Sequence, residues 1–436
     1  MLEFSYICGA IYPNSFSCLV DEHNYLKRHS TMTFKTRTEE IRKAVEVLRP
    51  FVKEKVEDED PYRISYRDKL FFEVFTDCAY LFVLLPGVRI CERIWAESDE
   101  SNVSFCFRMK EFCDFLENRH DDILTFEEDR FLGFFIFEKS REPDYTPMQA
   151  FSTTQILKKS PVNSLTTYLQ SISIEKDFLI SHLDRLSKLG DYDSSIYFNI
   201  EQHCCTTWIQ SSKATMVTCD TVNVHGAIDF GFFIPNRFIL KGGISLLQRN
   251  DSSYSKIYYK EYCIKIGDSD HFTVFYQYKI NPELITDVKK LFASIDTKDK
   301  IVVKTDSILS FLKRARSLCQ FENPAIFHIS RGYMTMHRYD PFYEASIHEY
   351  CSVLDGFNDT FITIDTKSML AMLEDIDAPY IQLLRLPNGL LYLSKIDEDP
   401  FGNTLRILKP GEVKPEDLPY YQKESEALVK RFNPLS

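Results

Sequence analysis

The 436-residue chain lacks the short signatures many enzymes carry: it has no G-x-S-x-G, no P-loop and no G-x-G-x-x-G. Nucleophile-elbow hydrolysis and nucleotide-cradling loops therefore have no basis in it. No C-x-x-C pair occurs either. His203 precedes the adjacent Cys204 and Cys205, but no acid or second histidine completes a ligand set, so neither a metal nor a cofactor is expected. The 12 cysteines are scattered through apolar segments (Cys78, Cys91, Cys106, Cys113, Cys263, Cys319) and read as buried free thiols of a reducing compartment. The most hydrophobic patch, residues 80–86, is too short to span a bilayer. The first residues lack the basic start and apolar run of a secretion signal, which predicts a soluble, cytoplasmic protein without a membrane partner. A net charge of −12 argues against a surface coated by nucleic acid, but leaves room for a local basic stripe.

What the chain does have is repetition. At 44% hydrophobic it can build several cores. The stretch 301–319 passes from a β-branched strand (Ile301, Val302, Val303) through possible caps at Thr305, Asp306 and Ser307 into a helix. Ile308, Phe311, Leu312, Ala315, Leu318 and Cys319 form the buried face of that helix, and Lys313, Arg314 and Arg316 lie outside it. The same passage occurs at 31–53, with Ile41, Ala44, Val45 and Leu48 inside and Pro50 ending or kinking the helix. It occurs again at 171–190, with Leu179, Leu183 and Leu186 inside and Gly190 as the C-cap. About 60–70 residues after each start comes a second strand-to-helix passage (103–116, 232–247 broken at Gly242-Gly243, 361–373), then a hairpin of two apolar runs. Each copy reads β-α-β-β-β-α-β-β or close to it. The class is α+β: three tandem domains, each with two helices packed on antiparallel β-sheets. The boundaries are 1–30 for an N-terminal extension, 31–150, 165–292 and 296–410 for the domains, and 411–436 for an appended tail or short docked helix.

Three such copies, best matched in Leu312–Leu318, resemble the bacterial-type DNA sliding clamps, the processivity factors of the replicative polymerase (the beta subunit of DNA polymerase III). The resemblance covers roughly 31–410. It implies a homodimer closed head-to-tail into a ring of six domains, with all helices lining the hole and duplex DNA inside, and no enzymatic activity. A sliding ring needs phosphate attraction without base readout. The residues placed on the pore helices are Arg42, Lys43, Arg49, Lys53, Arg108, Lys110, Arg185, Lys188, Arg237, Lys241, Arg249, Lys313, Arg314, Arg316 and Lys367. Acids on the same helices (Glu39, Glu46, Asp184, Glu374, Asp375) weaken the expected DNA affinity.

The family also takes polymerase and clamp-loader peptides in a hydrophobic pocket between its second and third domains. Ile285–Leu291 resembles the family's Pro-Asp-Tyr-Arg-Arg-Val segment, which places Thr286, Lys290 and Leu291 at the pocket, with Leu405, Ile407 and Leu408 closing it. The family's Thr-Asp-Gly-His-Arg-Leu loop is replaced by Gln210–Thr215, which leaves Lys213 and Thr215 as the remaining wall. The tail beyond 410 is expected to cover or reshape the pocket. These departures suit a divergent clamp from a phage or mobile element, or a clamp-like paralogue. The alternative function is a three-domain protein-interaction scaffold that does not encircle DNA; a hydrolase using Asp365 and Asp375 ranks below it. The acidic run 57–60 reads as a solvated loop.

Overall fold

The computed structural model describes residues 33–52, 68–99, 103–129, 134–137, 148–149, 151–152, 170–201, 203–226, 229–249, 251–260, 263–276, 280–281, 300–318, 324–340, 344–355, 359–386, 389–396 and 404–432. The proposed extension 1–30, Lys53, the acidic run 57–60, Cys319 and the pocket segment 285–291 lie outside them.

The first unit contains β1 (Thr33–Arg37), α1 (Thr38–Leu48), β2 (Lys69–Val74), β3 (Cys78–Leu85), β4 (Val88–Ser98), β5 (Val103–Arg108), α2 (Met109–Glu117), β6 (Ile123–Asp129), β7 (Phe134–Phe137) and β8 (Met148–Gln149), followed by β9 (Phe151–Ser152). The second contains β10 (Gln170–Glu175), α3 (Lys176–Ser187), β11 (Ser195–Glu201), β12 (Cys204–Gln210), β13 (Ala214–Thr221), β14 (Val224–Gly226), β15 (Phe230–Pro235), α4 (Asn236–Phe238), α5 (Ile244–Gln248), β16 (Tyr254–Tyr259), β17 (Cys263–Gly267) and β18 (His271–Tyr276). The third contains β19 (Lys300–Lys304), α6 (Thr305–Leu318), β20 (Ala325–Ser330), β21 (Tyr333–Asp340), β22 (Ala345–Ser352), β23 (Leu354–Asp355), β24 (Thr360–Ile364), α7 (Thr366–Glu374), β25 (Tyr380–Arg385), β26 (Leu391–Lys395) and β27 (Thr404–Leu408). Beyond it come β28 (Gly411–Glu412) and α8 (Leu418–Phe432).

Strand order repeats with the sequence. Each unit has one run of four strands, β1-β6-β7-β8, β10-β16-β17-β18 or β19-β25-β26-β27. Each has a second run, β5-β2-β3-β4, β15-β11-β12-β13 or β24-β20-β21-β22. The units are joined by strand pairing. β18 of the second unit pairs antiparallel with β4 of the first, and β27 of the third pairs with β13 of the second. The first seam, together with the pairing of β1 to β4 inside the first unit, builds a fourteen-stranded sheet and the second seam a nine-stranded one, while the last run, extended by β28, stays a separate five-stranded sheet with β22 at its edge.

Local chemistry explains why the helices start where they do. The first N–H groups of a helix have no intrahelical partner. In each unit the chain just before the hairpin supplies one: Thr38 N donates to Asp122 O at 3.0 Å, Lys176 N to Ser253 O at 2.9 Å and Thr305 N to Pro379 O at 3.0 Å. No side chain caps the start of α1, and the threonines that open α1 and α6 serve the tether instead. The Thr38 hydroxyl donates to Asp121 O and the Thr305 hydroxyl to Ala378 O, so both point away from the helix they begin. Pro50 falls in a single 3-10 turn, Arg49–Phe51, that ends α1. Between α4 and α5 the chain makes a π-turn, Ile239–Gly243, in which Gly242 takes φ +103°, a value that favours glycine.

The apolar faces of the helices and sheets meet in one cluster that runs from Phe34 to Leu408. Its first-unit centre is aromatic, with Phe34 stacked on Phe126 at 4.1 Å and Phe72 on Phe105 at 5.0 Å. Cys78, Cys91, Cys106 and Cys113 are buried free thiols, whereas Cys204 and Cys219 are half-buried with their sulfurs 2.8 Å apart across β12 and β13. The tail is a docked helix: α8 packs on β21 and β22. Its seat is on the β24-β20-β21-β22 run of the third unit.

Candidate nucleic-acid interface

The helices form one contiguous row. α2 packs on α1, and the turn after α1 packs on the π-turn of the second unit. There Phe51 stacks on Phe238 at 5.8 Å and Lys241 Nζ donates to Phe51 O at 3.1 Å. α5 packs on α3, Arg185 of α3 reaches Asp375 at the end of α7 at 3.3 Å, and α7 packs on α6.

The row is less cationic than the residue types suggest, because many of the sequence-selected cations are already engaged. Arg42 donates to the carbonyls of Leu116 and Arg119, closing the C-terminal end of α2. Lys43 pairs with Glu39 at 2.6 Å, Arg108 with Glu111 at 3.0 Å and Lys188 with Asp184 at 2.8 Å. Arg237 is half-buried, 3.9 Å from Asp193. Arg249 binds Glu92 at 3.2 Å and Arg314 pairs with Glu349. Arg49 is exposed.

Lys110, Lys313, Arg316 and Lys367 are exposed and, among the described residues, make no ion pair. Lys110 shares its open face with Glu111, Asp114 and Glu117, and α1 opens Glu39 and Glu46 beside Lys43. α3 opens Asp177 and Asp184 beside Lys188. α6 sets the unpaired Lys313 and Arg316 against a single acid, Asp306, and Lys367 at the start of the adjacent α7 extends this cationic surface. Paired surface charges offer phosphates little net attraction, so the attractive part of the row is confined to the third unit.

Each seam holds a carboxylate between two basic side chains, which the sequence reading missed. At the first, Glu92, 2% exposed, accepts from Arg249 and, at 2.7 Å, faces His271 Nδ1 across the β4–β18 register. At the second, Asp375 accepts from Arg185 and from Arg406, at 2.9 Å, and Arg406 is 4% exposed. The available signal was a charged residue inside an apolar strand, Glu92 in β4 and Arg406 in β27. The hydrogen bond to Glu92 holds the His271 pKa above its usual 6.5. A raised histidine pKa stabilises the fold most below 6.5, and that contribution fades as pH rises through the raised value. His271→Gln is therefore expected to lower Tm at pH 6 and to narrow its gap to the wild type by pH 8.5; a gap constant across that range, in thermal melts, contradicts the assignment.

Of the expected pocket residues that are described, the three leucine and isoleucine side chains of β27 are packed core. Leu405 and Ile407 lie with Trp208, Val217, Leu384, Leu386 and Tyr392 in one buried cluster, whereas Leu408 joins the main core. Thr215 is buried, paired in register with Ile407 across the seam. Lys213 bonds Asp365 at 3.3 Å. Asp365 itself caps α7 by accepting from Ser368 N, and its contacts with Ser368 and Lys213 hold its pKa below the usual carboxylate value against the opposing effect of burial. No described group of three or more His, Cys, Asp or Glu side chains is placed to hold a metal ion.

No protein-family profile matches the chain, and no curated protein matches it. Solved structures do. The DNA polymerase sliding clamp from Caulobacter crescentus superposes with a TM-score of 0.67 at 11% identity, over 88% of this chain and 100% of that one. The sliding clamp from Bacillus subtilis gives 0.64 at 12% identity over the same shares. The DNA polymerase III beta subunit from Thermotoga maritima gives 0.63 at 12%, again over 88% and 100%. The three-unit plan, its two strand-paired seams and its row of helices are the α+β fold of the bacterial DNA sliding clamps.

Proposed function

We propose that two copies of this chain close head-to-tail into a ring of six clamp domains, taken as 31–150, 165–292 and 296–410 in each copy, and that the ring encircles duplex DNA. The observation that carries this reading is a seam made twice and left open once. β4 takes β18 and β13 takes β27. The third member of the first series, β22, is a sheet edge, and the third member of the second, β8, ends the fourteen-stranded sheet. An open edge strand is a template for another chain, and a head-to-tail contact repeated around a closed rotation gives a ring. The helix row then faces the hole, with α6 and Lys367 holding phosphates without base readout.

The ring works as a topological tether, without catalysis, for a DNA polymerase and other replication proteins in the cytoplasm, where clamp-loader and polymerase peptides dock at the β13–β27 seam. Support for the peptide site is the apolar cluster around Trp208 and Ile407, on the sheet face opposite the main core. No described helix is long and apolar enough to cross a membrane.

The test has two parts. Mass in solution should be that of two chains, and protein assembled on nicked circular duplex should stay bound until the circle is cut. A dimer that binds linear and circular DNA alike, or neither, is instead the interaction scaffold, the reading that the paired charges on α1 to α3 favour.

A further inference from the structure

α8 lies beyond the third repeat, and the solved clamps are spanned in full by 88% of this chain. The helix has a definite seat. Its inner side places Tyr421 against His337 at 5.7 Å and Ser425 Oγ 2.8 Å from Thr335, both residues of β21. A second side lies over the edge strand β22, with Tyr420 6.2 Å from His348 and Phe432 stacked on Tyr350 at 5.6 Å. Fifteen residues of helix are about 22 Å long, comparable to the eight residues of β22. The helix therefore packs across the outer face of both β21 and the edge strand β22. On the inner side of that strand, Glu349 meets Arg314 of α6. Among the described residues β22 is thus the member of the β4, β13, β22 series left unpaired on one side, and helices pack on both of its faces.

That seat leaves apolar surface uncovered. Tyr420 is 45% exposed and Phe432 55%, and Tyr339, the electrostatic neighbour of Tyr420 on β21, is 41% exposed. Large exposed aromatics next to an open strand edge mark an interaction surface. We propose that α8 is a closing element: with the free edge of β22 it forms the surface on which the first unit of a second copy of this chain docks.

The occupant follows from the seam plan. What pairs with β4 and β13 is the last strand of a following unit, and the unit whose last strand is open is the first, through β8. Each internal seam aligns five residue pairs and has continuous chain behind it. β8 is only two residues long, so backbone pairing to it buries little, whereas a stable dimer needs about 1,200–2,000 Å². The aromatic stripe on α8 supplies contact area that the short strand cannot.

This inference rests on the ring reading above, and its test separates the two. The full chain and its Tyr420→Ala, Phe432→Ala double variant are compared by sedimentation equilibrium over a wide concentration range. Lys423→Ala, on an exposed side of α8, serves as the control, and circular dichroism verifies the fold. Hydrogen exchange is followed at β22 and α8 at concentrations above and below the dimer midpoint. The double variant should raise the dimer dissociation constant at least tenfold and Lys423→Ala should leave it unchanged, with β22 and α8 amides protected on dimerisation. A wild-type dimer whose constant and α8 exchange ignore the double variant overturns the role of α8 and leaves the ring standing. A folded chain that stays monomeric throughout overturns both.

Discussion

Replacing Lys313 and Arg316 by alanine should sharply reduce the salt-dependent affinity for duplex DNA. In a ring of two copies the change removes four phosphate contacts. Each contact contributes about 0.9 to the slope of log affinity against log salt, so the slope should flatten by about 3.6. Between 50 and 200 mM salt that is roughly two decades of lost salt sensitivity. The comparison is a Lys43, Lys110 and Lys188 triple alanine variant, three cations taken from α1, α2 and α3. Two of these are neutralised by Glu39 and Asp184, and the third stands among Glu111, Asp114 and Glu117. The triple variant should change the slope by less than about one. Anisotropy titrations on end-blocked duplex at several salt concentrations measure both. Equal slopes for the two variants would mean that the phosphates are held evenly around the hole rather than by α6.

Asp375→Ala should be among the most damaging single changes to stability. Asp375 takes the guanidinium of Arg406, which is 4% exposed, and that of Arg185 from the neighbouring unit. Removing one partner of a buried pair strands the other charge, at a cost of about 3–5 kcal/mol. Arg185 is partly exposed and adds less. The Asp375→Ala, Arg406→Met double variant removes the charge along with its partner and should recover much of the loss. Urea unfolding of the three proteins decides it: a single-variant loss below about 1 kcal/mol, or a double variant no better than the single, shows that Arg406 is held some other way.

The elements of the fold were legible because apolar spacing is local. Ile308, Phe311, Leu312 and Ala315 announce α6 from four positions on one face over about two turns, and all four are fully buried. The Gly242-Gly243 interruption likewise marks the π-turn. The use of the charges was not legible, because it depends on partners far away in sequence. Arg185 and Asp375 are 190 residues apart, Arg249 and Glu92 are 157 apart, and Arg42 spends its donors on the carbonyls of Leu116 and Arg119. Helical spacing tells which side of a helix a cation is on, but not whether a carboxylate from another unit waits there. The pocket residues fared similarly. Strand alternation places Leu405 and Ile407 on one face and Leu408 on the other, which the listing of all three as one wall overlooked. The tail stayed ambiguous between loose and docked, since its seat is made by His337, Thr335 and His348, whose outward direction only the sheet reveals.

The apolar cluster that begins at Phe34 and ends at Leu408 crosses both seams without a break. A copy that loosens therefore uncovers the apolar flank of its neighbour at the seam, and part of the stability of each copy belongs to the pair. Injury to one copy is felt across the strand it shares with the next.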